Sequence, residues 1–287
     1  MSLRRKFRKL ISEPGFKAQP ATTLLRGAQL ALYTAMGSDP VFRLSAGGAL
    51  LTVPANLRYT SVTAYILREW LEPELFHLPQ FLMPGGVFLD VGANIGMFSL
   101  RAATLVGPEG RVIAVEPAEV SADRLKRNLA LNELHNVVLV RAALSDVVGE
   151  ANLYHVELGN DPQAWSILPE AGGADSEKVA MTTLDALASE QGLLRLDLVK
   201  MDVEGAEPLV VAGGRETLAR FRPGVIFEVN TPPSFARADR TGCFEQLQAL
   251  GYRIFALEPR SGALNLIDCQ GMANGNLIAI HPEGPRV

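Results

Sequence analysis

From Pro84 onward, short apolar runs alternate with longer segments of helical periodicity, and this alternation limits the fold more than any other feature of the chain. The runs that read as strands lie at 86–92, 111–117, 136–144, 150–156, 178–184, 196–203, 224–229, 253–259 and 274–282. The segments that read as helices lie at 95–107, 121–134, 208–221 and 243–252. Strands that alternate with helices pair in parallel through crossover connections, so the pattern predicts a doubly wound α/β fold with a largely parallel sheet.

Ligands of a doubly wound sheet bind beyond the carboxyl ends of its strands. The residues that end the apolar runs, or follow them directly, are therefore the candidate functional residues. They are Asp90, Glu116, Ala143, Asp202 and Glu228.

Residues 1–80 have a different pattern, and we expect them to form an N-terminal extension to a binding domain at 81–287. The stretch 21–37 is helical and ends at Gly37, 41–54 reads as a hairpin, and 62–82 is mostly helical with an interruption at Pro73. The extension could act as a lid, a dimer contact or a membrane contact.

The charge distribution limits the partners. The formal net charge is −4 at pH 7, so no nucleic-acid partner is expected. The first nine residues nevertheless hold five basic side chains and no acid, and Leu3, Phe7, Leu10 and Ile11 share one helical stripe. A basic amphipathic helix over 1–12 would contact an anionic membrane surface, whereas the alternative is a solvated helix. We expect a cytoplasmic protein, with the inner face of a membrane as a candidate location.

The segment Gly92-Ala93-Asn94-Ile95-Gly96 predicts a tight ligand-binding turn between the first strand and its helix. Its glycine spacing departs from the dinucleotide fingerprint, and Asp90 just before it would repel a phosphate. A ligand with an ammonium group would be attracted instead. S-adenosylmethionine fits, because it carries an α-ammonium and a sulfonium but no phosphate. The structural alternative for Asp90 is a turn or cap residue.

Two further strand ends complete the candidate cofactor site. Glu116 lies 20 positions past Gly96, which suits a carboxylate that accepts hydrogen bonds from ribose hydroxyls. Adenine is expected at Ala143, with Ser145 or Asp146 as candidate contacts. A turn formed by Ser145 and Asp146 is the alternative.

A second group of acids follows the buried strand at 196–203. Asp202, Glu204 and Glu207 crowd its end, and Glu228 ends the next strand, followed by Asn230. Converging carboxylates serve as a general base, for which Asp202, Glu204 and Glu228 are the candidates, or hold a divalent metal such as Mg²⁺ through Asp202 and Glu228.

Other assignments of this group stay open. The acids could instead pair with Lys200, with Arg215 or with the ligand ammonium. His155 is an alternative base.

Together, the segments FLDVGANIGMFSL, VIAVEP, AALSD, TTLDAL and LVKMDVEGAE resemble the FkbM family of S-adenosylmethionine-dependent methyltransferases over about residues 80–230. The resemblance implies a class I methyltransferase fold, Rossmann-like and with seven mostly parallel strands. It also implies O-methylation of a hydroxyl on a small molecule such as a polyketide or on a sugar. A lipid-linked acceptor is expected if the basic N-terminal segment contacts a membrane. The resemblance places the cofactor against Asp90, Gly92, Ala93, Asn94, Gly96, Glu116 and Asp202. The chain departs from the family at 159–168, where GNDPQAWSIL carries Trp165 in a loop that could line the acceptor pocket.

Three other functions compete with this one. The chain could be a binding scaffold without chemistry, although the intact acids argue against it. A nicotinamide dehydrogenase is disfavoured by the glycine spacing. A methyltransferase of RNA or protein is the third alternative, which the acidic body of the chain disfavours.

Overall fold

The computed structural model describes residues 14–56, 58–156, 165–168, 172–229, 242–268 and 275–285. Within these ranges the helices are α1 (Pro14–Ala18), α2 (Pro20–Met36), α3 (Tyr59–Leu67), α4 (Pro73–Phe76), α5 (Met97–Val106), α6 (Glu119–Ala130), α7 (Leu184–Glu190), α8 (Glu207–Ala212), α9 (Arg215–Phe221) and α10 (Gly242–Ala249). Short 3-10 helices at Arg68–Trp70 and Leu78–Gln80 flank α4. The strands are β1 (Val41–Arg43), β2 (Leu50–Thr52), β3 (Val87–Val91), β4 (Arg111–Val115), β5 (Val137–Val140), β6 (Ala143–Ser145), β7 (Gly149–Val156), β8 (Trp165–Ser166), β9 (Gly172–Thr183), β10 (Leu198–Met201), β11 (Gly224–Val229), β12 (Arg253–Leu257), β13 (Leu264–Leu266) and β14 (Gly275–Ile280).

The main sheet has the strand order β13-β12-β14-β11-β10-β3-β4-β5. Its central and outer strands from β11 to β5 pair in parallel, while β14 runs antiparallel between β11 and β12. This confirms the doubly wound, mostly parallel α/β fold. The sheet has eight strands in the described part of the chain rather than the expected seven, because Leu264–Leu266 adds an edge strand. That strand is three residues long and largely exposed, so no apolar run in the sequence predicts it.

A second, smaller sheet has the order β6-β9-β7-β8. The prediction of one strand over 136–144 was wrong, because the chain leaves the main sheet after Val140. Arg141 is exposed at the break, and Ala143–Ser145 then pairs in parallel with β9. This departure carries β6 toward the carboxyl ends of β3 and β4.

Alternation along the strands divides the main sheet into two buried faces. One face, with Phe88, Leu198 and Ile226, packs against α5 and the N-terminal segment. The opposite face, with Leu89, Val199 and Phe227, packs against helices α7 to α10. Apolar residues on both faces explain why these strands read as continuous apolar runs.

Residues 14–82 form the expected helices and hairpin, and Gly37 ends α2 in a left-handed conformation. Their buried side chains, including Leu30, Leu51 and Leu75, join the core of the first sheet face. The division at residue 80 remains a prediction, but the two parts share one core. Of the helices that the structure describes, none has the length and apolar character that crossing a bilayer requires.

Candidate functional site

A cavity opens at the carboxyl ends of β3, β4 and β10 and is closed on one side by the small sheet. This is the position that the doubly wound topology predicts. Its described lining includes three carboxylate side chains and neither lysine nor arginine. The carboxylates belong to Glu116, Asp202 and Glu204.

The glycine turn forms the floor of the cavity. Gly92 has φ 78°, and a Cβ built on it would lie 1.9 Å from the carbonyl oxygen of Asp202. Only glycine fits there, because β3 and β10 run side by side and the Asp202 N–H donates to the carbonyl of Val91 at 3.0 Å. Asn94 also lies on the left-handed side at φ 50° and lines the cavity.

The other turn residues are placed behind the lining. The N–H of Ala93 donates to the carbonyl of Val115 at 3.0 Å, and its side chain is buried. Gly96 has φ 94°, and a Cβ there would lie 2.2 Å from a methyl group of Leu125. Gly96 therefore allows α6 to pack closely against the turn rather than facing the cavity.

Asp90 is buried beneath the turn, outside the described lining, with 1% of its surface exposed. Its Oδ2 accepts a hydrogen bond from Ser99 Oγ at 2.6 Å, while its Oδ1 has no hydrogen-bond partner in the described part of the chain. Burial raises the pKa of Asp90, and the nearby Lys200 ammonium opposes that shift. An unpartnered buried carboxylate oxygen is costly, so this atom is suited to a donor supplied by a ligand or a water.

Glu116 lies at the end of β4 in the cavity wall. Its Oε2 accepts from the Asn94 N–H at 2.8 Å and its Oε1 from the Ala118 N–H at 2.9 Å. Burial raises the pKa of Glu116 to about 7, despite these two backbone donors. Each carboxylate oxygen keeps a second lone pair, so both can accept further hydrogen bonds.

A row of polar groups crosses the sheet at the same edge. Lys200 of β10 lies in register with Asp90, and Asn276 of β14 lies in register with Glu228 of β11. Lys200 Nζ is 2.9 Å from Asp202 Oδ2 and 4.6 Å from the ring centroid of Phe98. Burial alone would lower the pKa of Lys200, but the surrounding acids outweigh burial and raise it.

Two more acids belong to this row: Glu72, which directly precedes α4, and Glu74, which lies within it. The amide of Asn276 donates to Glu72 Oε2 at 2.9 Å and to Glu74 Oε2 at 3.1 Å. Burial raises the pKa of Glu72 to about 7, and Lys200 partly opposes the shift. No motif indicated this contact, because some 200 residues of sequence separate Asn276 from the two acids.

Asp202 and Glu228 share a hydrogen bond. Burial and the charge of Asp202 raise the pKa of Glu228 to about 11, so Glu228 carries a proton at neutral pH. Burial favours protonation of Asp202 as well, but Lys200 outweighs it and lowers the pKa of Asp202. Of the acids after β10 and β11, Asp202 pairs with Lys200, as one sequence alternative proposed, whereas Arg215 is exposed.

One oxygen from each of Asp202, Glu207 and Glu228 lies within 4.8 Å of the others, a spacing that a metal ion could use. Glu207 also accepts from the Val203 N–H at 2.9 Å, which fixes the turn after β10. The geometry thus gathers the predicted pair Asp202 and Glu228 and adds Glu207. The proton on Glu228 and the ammonium of Lys200 already balance part of this negative charge.

The small sheet supplies the far wall of the cavity, where Ala143, Leu153 and Trp165 pack together. Ser145 is buried and donates to Asp146 Oδ1 at 3.1 Å, while Asp146 is exposed and outside the described lining. Ser145 thus ends β6 rather than forming a turn with Asp146, and the two side chains contact each other outside the described lining.

Trp165 lies in this wall of the cavity, within the segment that was expected to line an acceptor pocket. Its indole Nε1 is buried and has no hydrogen-bond partner among the described residues. His155 lies edge-on to it, with ring centroids 5.2 Å apart. The next residue, Ser166, donates to the carbonyl of Glu204 at 3.0 Å and so ties the strand to the turn after β10. The segments 157–164 and 169–171, Asn230, Cys269 and residues 1–13 lie outside the described residues.

Comparison with known proteins identifies similar sequences. A family model described as the Methyltransferase FkbM domain matches residues 90–254. The methyltransferase sdnD of Sordaria araneosa is 33% identical over 181 residues, which cover 52% of this chain and 69% of that protein. The 2-O-methyltransferase NoeI of Sinorhizobium fredii is 31% identical over 155 residues, which cover 48% of this chain and 61% of that protein.

Among solved structures, methyltransferase FkbM from Methylobacillus flagellatus is similar with a TM-score of 0.44 and 15% identity. The likeness covers 92% of this chain and 60% of that one.

Proposed function

The chain belongs to the FkbM family of methyltransferases, and we propose that it transfers a methyl group from S-adenosylmethionine to a hydroxyl group. The acceptor in this proposal is a small molecule, a sugar or a lipid-linked compound. The observation that carries the proposal is a glycine-floored cavity whose charged wall residues are all acids among the described residues. Such a cavity repels phosphates and attracts a ligand that is both an ammonium and a sulfonium.

The residues present fit this cofactor at each of its parts. Glu116 has lone pairs for the two ribose hydroxyls, and Gly92 and Asn94 line the cavity where the amino-acid end would lie. The unpartnered Oδ1 of Asp90 supports an ammonium nearby, reached directly or through a water. The apolar wall of Ala143 and Trp165 suits a purine, and the unpartnered indole N–H can donate to a ring nitrogen of adenine.

The reaction needs alignment and an acceptor for one proton. When bound, S-adenosylmethionine supplies an electrophilic methyl group, whose bond to sulfur breaks as the acceptor oxygen bonds to carbon. The protein positions the hydroxyl oxygen in line and receives its proton. Among the predicted bases, Glu228 is protonated at rest, so we assign the proton to Asp202 or to Glu204. Glu228 then acts as the hydrogen-bond donor that orients the Asp202 carboxylate.

A divalent metal at Asp202 and Glu228 remains a separate prediction, and no step above depends on it. The oxygens of Asp202, Glu207 and Glu228 are close enough to converge on one ion, but Glu228 would have to lose its proton first. Turnover measured with EDTA and with added Mg²⁺ tests the point. Equal rates in the two conditions would contradict a metal requirement.

Binding is the first test. Isothermal titration with S-adenosylhomocysteine should give a saturable signal with one site per chain. The absence of heat and of any shift in melting temperature would favour a scaffold that does not bind this cofactor, and would refute the proposal.

Catalysis is tested with variants that keep the shape of the site. Transfer of a labelled methyl group to a set of sugars and small hydroxyl compounds is compared for Asp202→Asn and Glu228→Gln. We expect turnover to fall by roughly 10²-fold or more in Asp202→Asn, while binding of S-adenosylhomocysteine, titrated separately, persists. Glu190→Gln, an exposed carboxylate on α7, is the matched control. Unchanged turnover in both Asp202→Asn and Glu228→Gln would refute the assigned chemistry.

A further inference from the structure

Helix α2 turns an apolar face to solvent. Its large exposed side chains are Leu24, Leu25, Leu32 and Met36, which are 53%, 60%, 60% and 60% exposed. On a helix of 3.6 residues per turn they share an arc of about 140° with four exposed alanines. These are Ala21, Ala28, Ala31 and Ala35. A continuous apolar surface of this kind marks an interaction site on a soluble domain.

The opposite face of α2 is the one that packs on the protein. Leu30 and Thr23 are buried there, and Arg26 Nη1 donates to the carbonyl of Ile66 at 2.9 Å. The rings of Tyr33 and Tyr65 meet edge to face with centroids 6.2 Å apart. The helix is thus anchored by a mixed polar face, whereas an ordinary surface helix would bury its apolar stripe. The exposed face is therefore available to a partner.

Charge identifies the partner. Residues 1–37 hold seven basic side chains and one acid, whereas the whole chain has a formal net charge of −4. The positive charge is therefore concentrated at the end of the chain that carries α2. The only charged residue of α2 itself, Arg26, is turned toward α3. An apolar helix face that basic residues precede in sequence is typical of a segment that binds a bilayer containing anionic lipids.

A second copy of the chain fits this surface less well. The part of the sequence that holds α2, residues 1–37, carries a net positive charge, and like charges oppose the association of two copies through it. A bilayer surface instead offers negative charge to the basic residues and apolar depth to the leucines.

We propose that the exposed face of α2 docks the protein on the surface of an anionic membrane. This surface lies outside the cavity and does not depend on the proposed reaction. It would bring the site to lipid-linked or amphipathic acceptors.

Co-sedimentation of the full chain with vesicles tests the proposal. We expect pelleting with phosphatidylcholine vesicles that contain phosphatidylglycerol and much less with phosphatidylcholine alone. Leu24→Gln combined with Leu32→Gln should weaken binding about tenfold or more, because two apolar side chains no longer enter the interface. The matched control combines Leu194→Gln with Leu266→Gln, two leucines that are 88% and 65% exposed elsewhere, and should bind like the unchanged chain.

Three results would overturn the proposal. The first is that the unchanged chain stays in the supernatant. The second is that the Leu24/Leu32 variant pellets as well as the unchanged chain, and this result counts against the α2 face even if deletion of residues 1–12 abolishes binding. The third is a dimer in light scattering that the Leu24/Leu32 variant dissociates while vesicles capture nothing. Titration of S-adenosylhomocysteine into the same variants checks that they fold, and separates failure of this surface from failure of the proposed function.

Discussion

Lys200→Met should destabilise the protein in a way that depends strongly on pH. Lys200 is 3% exposed, and its Nζ is the cation nearest to Asp202, at 2.9 Å. It also opposes the burial-driven rise in the pKa values of Glu72 and Asp90. Methionine fills a similar volume, so the substitution removes the charge with little change in packing.

The magnitude follows from leaving buried acids without their cation. Breaking a buried ion pair by removing one partner costs about 3–5 kcal/mol. The lower end applies here, because Glu72, with a pKa of about 7, takes up a proton and the Asp202 side chain is 31% exposed. We therefore expect the free energy of unfolding to fall by about 3 kcal/mol at pH 8.

The sign of the pH dependence follows from the pKa values. In the unchanged chain Lys200 lowers the pKa of Asp202, and the resulting stabilisation is lost only as the pH falls below the ordinary range of aspartate. Without Lys200 the pKa values of Asp90, Glu72 and Asp202 all rise, so the folded state binds more protons than the unfolded state. The unfolding free energy of the variant then decreases as pH rises from about 4, and at pH 5 the deficit should shrink to about 1 kcal/mol.

Urea unfolding at pH 5 and pH 8, analysed at constant m-value, measures both numbers. Lys126→Met is the control, because Lys126 pairs with Asp123 at 3.3 Å on the surface, with side chains 56% and 51% exposed. We expect it to cost no more than about 0.5 kcal/mol. Adding Asp202→Asn to Lys200→Met should restore part of the loss at pH 8. An equal deficit at both pH values, or a cost no larger than that of the control, would refute the electrostatic account.

Three further predictions concern the cavity. Gly92→Ala should lower the free energy of unfolding by about 1–3 kcal/mol more than Gly85→Ala does. Both glycines have similar positive φ values, 78° and 76°, but of the two only a Cβ on Gly92 would meet backbone, at the carbonyl of Asp202. Equal urea midpoints for the two variants would contradict this. Trp165→Phe should weaken S-adenosylhomocysteine binding roughly fivefold if the indole N–H finds an acceptor on adenine, and unchanged affinity would remove that hydrogen bond from the proposal. Cofactor binding near pH 7 should release protons, because a cationic ligand with ribose donors lowers the pKa of Glu116 from about 7. Binding enthalpies in phosphate and Tris should then differ, and Glu116→Gln should remove most of the difference, whereas identical enthalpies for the unchanged chain would exclude a linked proton.

The sequence was sufficient for features that depend on one strand and the turn after it. Parallel strands end at a common edge, so the residues after β3, β4 and β10 had to meet there, and Glu116 and Asp202 do line one cavity. The glycine turn was predicted for the same reason, since its backbone demands are local. The family match over 90–254 confirms the resemblance that these segments carried.

Features that depend on distant parts of the chain were not predicted. Apolar periodicity predicts one strand over 136–144. It does not show that the chain stops pairing with β4 after Val140 and pairs with β9 instead, from Ala143 onward. The contact of Asn276 with Glu72 joins a closing strand to the N-terminal extension, and neither residue lies in a motif.

The same distinction explains how the acids after β10 divide their roles. From sequence, Asp202 and Glu228 were equivalent candidates for a base, because each is a carboxylate at a strand end. Their surroundings decide which of the two is protonated. Lys200 lies beside Asp202, whereas Glu228 is buried close to the charges of Asp202, Glu204 and Glu207, which raise its pKa. Asp202 therefore carries a negative charge at neutral pH, next to the cavity where the proposed cofactor would bind. If Asp202 is the base of the proposed reaction, Lys200 limits its basicity, and we then expect the acceptor hydroxyl to lose its proton late, as the methyl group is transferred.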